Sequence, residues 1–259
     1  MTQELKRKIR ILVAEDDITN QKVAKGILEK MGYRVDIVAD GREAMKALET
    51  IPYSLVLMDI QMPEIDGFEA TKMIRNNVIK VSSQNVPIIA MTARAMKGDK
   101  GKCIEAGMND YVTKPVQPGE LARVINRWVF SRSAPEKAEL VCLDDKPMTR
   151  LNWVKLLKRL NGDEELSLEI LDTYIQDGAE QIVALEKAVA QFDVGQIQQL
   201  GHRFKGSAAN AEAMIMLELA IELEQSGKDG NITMAKEVLE KIQTEYGLLK
   251  QLVEDMMPS

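Results

Sequence analysis

The spacing of apolar residues changes character about halfway along the chain. In the first half, short apolar runs alternate with segments whose apolar positions recur every three or four residues. Ile9–Ala14 is a continuous apolar run, and Arg34–Val38, Leu55–Met58, Val86–Thr92 and Tyr111–Thr113 are four further strand candidates. Between them, Thr19–Met31 carries apolar residues at helical spacing until Gly32 stops it, and helices are predicted near 42–50, 67–77, 97–106 and 118–130. Strands alternating with helices predict a parallel sheet covered on both faces. Five βα units in about 130 residues suit an α/β doubly wound, five-stranded sheet in the flavodoxin-like order.

The second half shows no strand alternation. Helical patterns are predicted over 149–160, 163–191, 194–210, 213–226 and 232–256, with Asp163 and Asp193 as N-caps, Gly227 as a helix end and Gly230-Asn231 opening the last segment. Short connections between amphipathic helices predict an all-α antiparallel helical bundle. Between the halves, Ser131-Arg132-Ser133-Ala134-Pro135-Glu136 and Asp144-Asp145-Lys146-Pro147 have the composition of a linker. The expected organisation is a first domain over 1–130, a linker over 131–148 and a helical domain over 149–259.

Charge sharpens this division. Residues 1–130 hold 20 Lys and Arg against 17 Asp and Glu, and the remainder holds 14 against 23, within a total of −6. An acidic helical half without a basic, aromatic-interleaved patch argues against nucleic-acid binding. No stretch reaches the roughly 20 apolar residues of a membrane span, so no membrane insertion is expected. Two cysteines, Cys103 and Cys142, in 259 residues suit a reducing, cytoplasmic setting.

In an open α/β sheet, ligands bind beyond the carboxyl ends of the strands. Those ends carry Glu15-Asp16-Asp17, Asp59, Thr92 and Lys114. Clustered carboxylates require a cation, and hard oxygen donors select Mg²⁺ over zinc or copper. With a hydroxyl and an ammonium alongside, the expected chemistry is phosphoryl transfer to a carboxylate nucleophile. Each residue alone could be a capping acid or a surface lysine; their shared register at the strand ends points to a site.

The runs Ile11-Leu12-Val13-Ala14-Glu15-Asp16-Asp17 and Leu55-Val56-Leu57-Met58-Asp59-Ile60-Gln61-Met62-Pro63, with Asp66-Gly67, Met91-Thr92-Ala93 and Lys114-Pro115, resemble a response-regulator receiver domain over residues 8–130. The resemblance implies that Asp59 is the phosphoacceptor, that Asp16 binds Mg²⁺ directly and Glu15 through water, and that the Gln61 carbonyl completes the protein ligands. It further implies that Thr92 and Lys114 hold the phosphoryl group and that Tyr111 is a switch aromatic; Asp17, just outside the acidic pair, reads as helix-capping or surface. A haloacid-dehalogenase-type phosphatase would need an acid where Gln61 stands.

His202 is the sole histidine. On the predicted helix 194–210, Ile197, Leu200, Phe204, Ala208 and Ala211 form one apolar stripe, and His202 lies roughly 160° from its centre, so it is expected to face solvent. Lys205 shares its face, while Gly206 and Ala209 leave space above it. An imidazole nitrogen there suits nucleophilic attack on a phosphorylated surface. The run Gly201-His202-Arg203-Phe204-Lys205-Gly206-Ser207-Ala208-Ala209-Asn210, with Leu160-Asn161-Gly162-Asp163-Glu164-Glu165-Leu166 upstream and Leu223-Glu224 downstream, resembles the histidine-phosphotransfer (HPt) motif. That resemblance implies phosphorylation at His202 and partner docking over Arg203, Gly206 and Ala209. One departure is Glu212, where family members commonly carry glycine.

Together the resemblances imply a phosphorelay protein without its own ATP-binding kinase domain. A sensor histidine kinase would be the donor and a downstream response-regulator receiver the acceptor. The same order of domains resembles the C-terminal part of hybrid sensor kinases. A rival reading is a phosphorylation-gated switch whose helical half is a docking or inhibitory module.

Overall fold

A computed structural model describes residues 6–76, 85–92, 97–130 and 150–257, with the side chains of 97–100 excepted. The expected linker over 131–148 lies outside the described residues. The described residues form two compact units: 6–16 with 27–76, 85–92 and 97–130, and 17–26 with 150–257.

The first half holds β1 (Arg10–Ala14), α1 (Ile18–Lys30), β2 (Arg34–Val38), α2 (Gly41–Thr50), β3 (Leu55–Asp59), α3 (Gly67–Arg75), β4 (Ile88–Thr92), α4 (Lys97–Glu105), β5 (Asp110–Thr113) and α5 (Pro118–Ile125). The strands are parallel in the order β2-β1-β3-β4-β5. That is the doubly wound arrangement expected from the alternation. β3 and β4 are buried along their whole length, as a sheet covered on both faces requires. Alternate residues Leu12, Ala14, Val56, Met58, Ile88 and Ala90 share one core with Ala44, Met45 and Leu48 of α2 and Ala70 and Ile74 of α3.

Caps fix where the helices start. The Asp40 and Asp66 carboxylates accept the backbone N–H of Glu43 and Glu69, each at 2.7 Å, and Glu43 in turn accepts the N–H of Ala39 at 2.9 Å. That reciprocal pair satisfies donors that a helix start otherwise leaves bare. Gly32 has φ +93°, so the residue expected to stop the first helix does so in the left-handed region.

Two expectations need correction here. The strand expected from Val86 starts at Ile88, because Pro87 has no N–H to give the ladder and Val86 offers its carbonyl to Arg75 at 2.9 Å. The helix expected over 118–130 is α-helical only to Ile125 and continues as a π-helical turn, Asn126–Phe130. There Arg127 and Trp128 both reach Asp110, at 2.8 and 3.1 Å.

The second half comprises α6 (Trp153–Arg159), α7 (Glu164–Ala190), α8 (Val194–Asn210), α9 (Met214–Lys228) and α10 (Ile232–Met256). α7 packs on α8, α8 on α9, α9 on α10 and α10 back on α7, which closes a four-helix bundle with α6 added against α7. Asp163 and Asp193 cap α7 and α8 as expected, through the N–H groups of Leu166 and Gln196. The α8 stripe Ile197, Leu200, Phe204, Ala208 and Ala211 is buried throughout. No helix among the described residues is long and apolar enough to cross a membrane.

Gly227 does not end a helix, contrary to expectation. It lies inside α9, where an added Cβ would stand 2.5 Å from the Gln198 backbone nitrogen; the turn is made by Gly230, at φ +67°. A Cβ added to Gly201 on α8 would likewise stand 2.5 Å from the Glu224 backbone nitrogen of α9. The two glycines therefore let α8 and α9 approach backbone to backbone.

Glu212 has φ +55°, the left-handed conformation that glycine adopts without steric cost. Its carboxylate is buried beside Lys155 at 3.0 Å and Arg159 at 3.6 Å, both from α6. Those charges offset the strain, and α9 starts two residues later as a regular helix.

Replacing Gly227 by alanine should force these two backbones apart. The expected loss is about 1–3 kcal/mol, as for overpacking elsewhere, read as an earlier guanidinium transition in far-UV circular dichroism. An unshifted transition would mean that the α8–α9 spacing is not tight.

Candidate functional site

The carboxyl edge of the sheet gathers the first group of residues. Glu15 and Asp16 follow β1, Asp59 ends β3, Thr92 ends β4 and Lys114 follows β5. Carboxylate oxygens of Glu15, Asp16 and Asp59 lie within 4.8 Å of one another. Glu15 and Asp59 are buried, whereas Asp16 is partly exposed. The Lys114 ammonium is buried between them, 2.6 Å from Glu15 Oε2 and 2.8 Å from Asp59 Oδ2.

Electrostatics follow from that burial. Loss of water, then the Glu15 charge, push the Asp59 carboxyl up to about 7 against the opposing pull of Lys114. Burial alone would lower Lys114, but the two carboxylates outweigh it and hold the ammonium above its usual range. Three hard oxygen donors with one ammonium among them suit a divalent, oxygen-preferring metal such as Mg²⁺.

Neighbouring residues hold this edge in shape. The backbone N–H of Gln61 points to Asp59 Oδ1 at 3.4 Å. Gly67 sits where any Cβ would overlap the Asp59 carbonyl, and its N–H donates to the Ile60 carbonyl at 2.9 Å. Thr92 is buried, and its carbonyl accepts the Lys114 N–H at 2.7 Å. Tyr111, opposite Ala90 in the ladder, is half-buried with its ring against the core. Asp17 stands apart from the metal-competent cluster and accepts the Asn20 N–H at 2.8 Å, capping α1.

The second group surrounds His202 on α8. The imidazole does not stand fully in solvent as expected: its side chain is only 18% exposed. Its Nδ1 faces Glu224 Oε1 at 3.6 Å, because Gly201 brings α9 against α8 at this level. The same carboxylate takes the Lys205 ammonium on Oε2 and the Lys228 ammonium on Oε1, the latter at 2.7 Å. Burial would raise Glu224, but His202, Lys205 and Lys228 outweigh it and hold the carboxyl well below the usual carboxylate range. Arg203 and Ala209 are half-buried, and Gly206 is buried.

Glu224 and Lys228 are the members of this group that sequence reasoning did not assign. The i, i+4 spacing of two opposite charges on α9 was a visible signal. The contact with His202 was not, since it depends on how closely two helices pack.

With both groups in view, the comparisons with known proteins fall into place. The response regulator receiver domain model matches residues 11–126, and the Hpt domain model matches residues 169–256. The chain is a receiver domain joined to an Hpt domain. The signal transduction histidine-protein kinase BarA of Escherichia coli K12 is 29% identical over 236 residues, covering 89% of this chain and 25% of BarA. The sensor histidine kinase GacS of Pseudomonas protegens is 31% identical over 209 residues, or 76% of this chain and 22% of GacS. This chain thus spans about a quarter of the length of these kinases. The receiver domain of the sensor kinase PA1611 from Pseudomonas aeruginosa PAO1, crystallised with magnesium in its active-site cleft, is 43% identical. It covers 47% of this chain and 97% of its own, with a TM-score of 0.43. A receiver followed by an Hpt domain places the chain in two-component phosphorelay signal transduction.

The depressed Glu224 carboxyl makes a prediction of definite sign. A carboxylate favoured in the folded state contributes stability above its ordinary value near 4.5, and that contribution is lost as pH falls towards the folded value. The difference in melting temperature between the wild-type chain and Glu224→Gln should therefore be largest above that value and shrink on acidification. A difference that stayed constant, or grew in acid, would contradict the ion-pair arrangement.

Proposed function

We propose that Asp59 accepts a phosphoryl group from a sensor histidine kinase and that His202 carries it to or from a receiver aspartate. The observation that carries this reading is the Glu15–Lys114–Asp59 cluster at the sheet edge, in one chain with an imidazole whose Nδ1 is turned to a carboxylate. The domain bounds proposed are 1–130 for the receiver, 131–148 for the linker and 149–259 for the Hpt domain. Both matched segments fall inside those bounds.

Glu15, Asp16, Asp59 and the Gln61 carbonyl would hold Mg²⁺. Bound there, the ion supplies the positive charge that a phosphoryl group needs beside three acids. Attack by an Asp59 carboxylate oxygen on the donor's phosphoimidazole forms a P–O bond and breaks the P–N bond, leaving the electron pair on the donor ring. Lys114 turns from the two carboxylates to a phosphoryl oxygen, and the Thr92 hydroxyl donates to another. Tyr111 then reports the change on the surface beside β5.

In the Hpt domain the roles follow from the ring's orientation. Glu224 Oε1, 3.6 Å from Nδ1, favours the proton on that nitrogen and leaves the lone pair on Nε2, so Nε2 is the attacking nitrogen. Attack at the phosphorus of an aspartyl phosphate forms P–N, breaks P–O and returns a carboxylate. Lys205 balances the oxygens of the transferred group, and Arg203, Gly206 and Ala209 form the face on which the partner receiver docks. The partners are thus a kinase upstream and a response regulator downstream. The reading places the chain in the cytoplasm, where both cysteines stay reduced. Glu212, the departure from the HPt pattern, is accounted for by its ion pairs with α6.

Incubation with a radiolabelled small-molecule phosphodonor and Mg²⁺ tests this assignment. Label should be base-labile on Asp59 and acid-labile on His202. Asp59→Asn should lose both forms, and His202→Gln only the acid-labile one. Acid-labile label that survives Asp59→Asn would overturn entry through the receiver. Lys114→Ala should slow labelling of Asp59 by roughly a hundredfold, the cost of removing one charge-stabilising donor. An unchanged rate would remove Lys114 from the mechanism.

A further inference from the structure

At the opposite end of the receiver sheet, the chain gathers cations that phosphoryl transfer at Asp59 does not use. A groove of 470 Å³ is lined by Arg7, Glu29, Lys30, Gly32, Tyr33 and Arg34. Lys6 lies over the Tyr33 ring at 5.7 Å, and Lys8 follows in the same turn. Among the described residues, the lining cations Arg7, Lys30 and Arg34, with Lys6 over the Tyr33 ring, thus meet one lining carboxylate, Glu29, in a chain whose overall charge is −6. β1 and β2 start here and end at the Asp59 edge, so the groove lies a strand length, about 16 Å, from the phosphoacceptor.

Backbone bonds hold the groove's walls. Ile9 N–H donates to Lys6, and Arg34 N–H to Ile9, both at 3.0 Å, which ties the turn carrying Arg7 to the first residue of β2. Gly32 and Tyr33 donate to Glu29 and Leu28 at 2.9 and 3.1 Å. Those two bonds satisfy carbonyls at the end of α1, so the negative end of the helix dipole is partly covered. Lys30 alone would be explained as a cation complementing that helix end. Arg7 and Arg34 are on other segments, and the dipole does not account for them.

We propose that this groove binds a polyphosphate group. Guanidinium forks match phosphate oxygens in pairs, and the lysines add point charges. The volume falls in the roughly 300–1,000 Å³ range of small-molecule sites. The group would belong to a free polyphosphate compound or to a phosphorylated lipid headgroup, both of which offer clustered phosphate oxygens.

Inorganic tripolyphosphate, titrated into the full chain with EDTA to strip metal from the Asp59 cluster, is the soluble probe. Saturable binding by calorimetry should weaken about a hundredfold in Arg7→Glu/Arg34→Glu, the loss of two charge-assisted contacts. Lys241→Glu/Lys250→Glu changes the net charge equally on α10 and should bind as the wild type does. Sedimentation with phosphatidylcholine vesicles containing phosphatidylinositol bisphosphate is the second arm. Saturable binding in the soluble arm assigns a free polyphosphate, and binding in the vesicle arm alone assigns the lipid headgroup. In both cases the dependence on Arg7 and Arg34 must hold. Equal loss in the two double variants, or no saturable binding in either arm, would overturn the proposal. Labelling of Asp59 should be unchanged in Arg7→Glu/Arg34→Glu, which also reports that the receiver is folded.

Discussion

Glu15 and Asp59 are buried side by side at the edge of an otherwise apolar sheet, and one ammonium, that of Lys114, lies between them. Burying a single carboxylate without a partner costs several kcal/mol, and two adjacent ones add their mutual repulsion. The order of elements in the receiver makes this arrangement possible. Parallel strands deliver their carboxyl ends to one edge, and β5 places Lys114 within reach of residues that follow β1 and end β3. Gly67 lets α3 begin against the Asp59 carbonyl, which holds the acid-bearing strand end in place. A cluster balanced on one cation is stable enough to fold and still short of positive charge.

The Hpt domain solves a related problem by different means. Its buried carboxylate, Glu224, is shared among His202, Lys205 and Lys228 on two helices that touch backbone to backbone. Gly201 and Gly227 set that distance. A wider spacing would carry Glu224 away from the imidazole, so the packing of the bundle and the surroundings of His202 are one constraint. Glu212 belongs to the same end of α8. It adopts a glycine-like backbone, and its charge is met by Arg159 and Lys155.

Much of this was legible in the residues. Asp16, Asp59, Thr92 and Lys114 declare themselves because strand ends are readable from continuous apolar runs, and the caps Asp163 and Asp193 because capping is local. The α8 stripe followed from helical period alone. What the residues did not disclose depends on the distance between elements. Gly227 looks like a helix end until α8 is placed against it, and the partly covered state of His202 follows from that same approach. The π-helical turn after Ile125 has no signature of period, since it arises where Arg127 and Trp128 both reach Asp110.

The two sites differ in the sign of charge they present to a phosphoryl group. With its three acids ionised, the receiver cluster keeps two negative charges beyond what Lys114 neutralises. A phosphoryl dianion is repelled there unless a divalent ion cancels those two charges. Around His202 the count runs the other way: Glu224 supplies one negative charge against the two of Lys205 and Lys228. The charge beside the imidazole therefore favours an anion. On the proposed route, a group leaving Asp59 for a histidine would pass from an edge with net negative charge to a site whose positive charge is built into the helices.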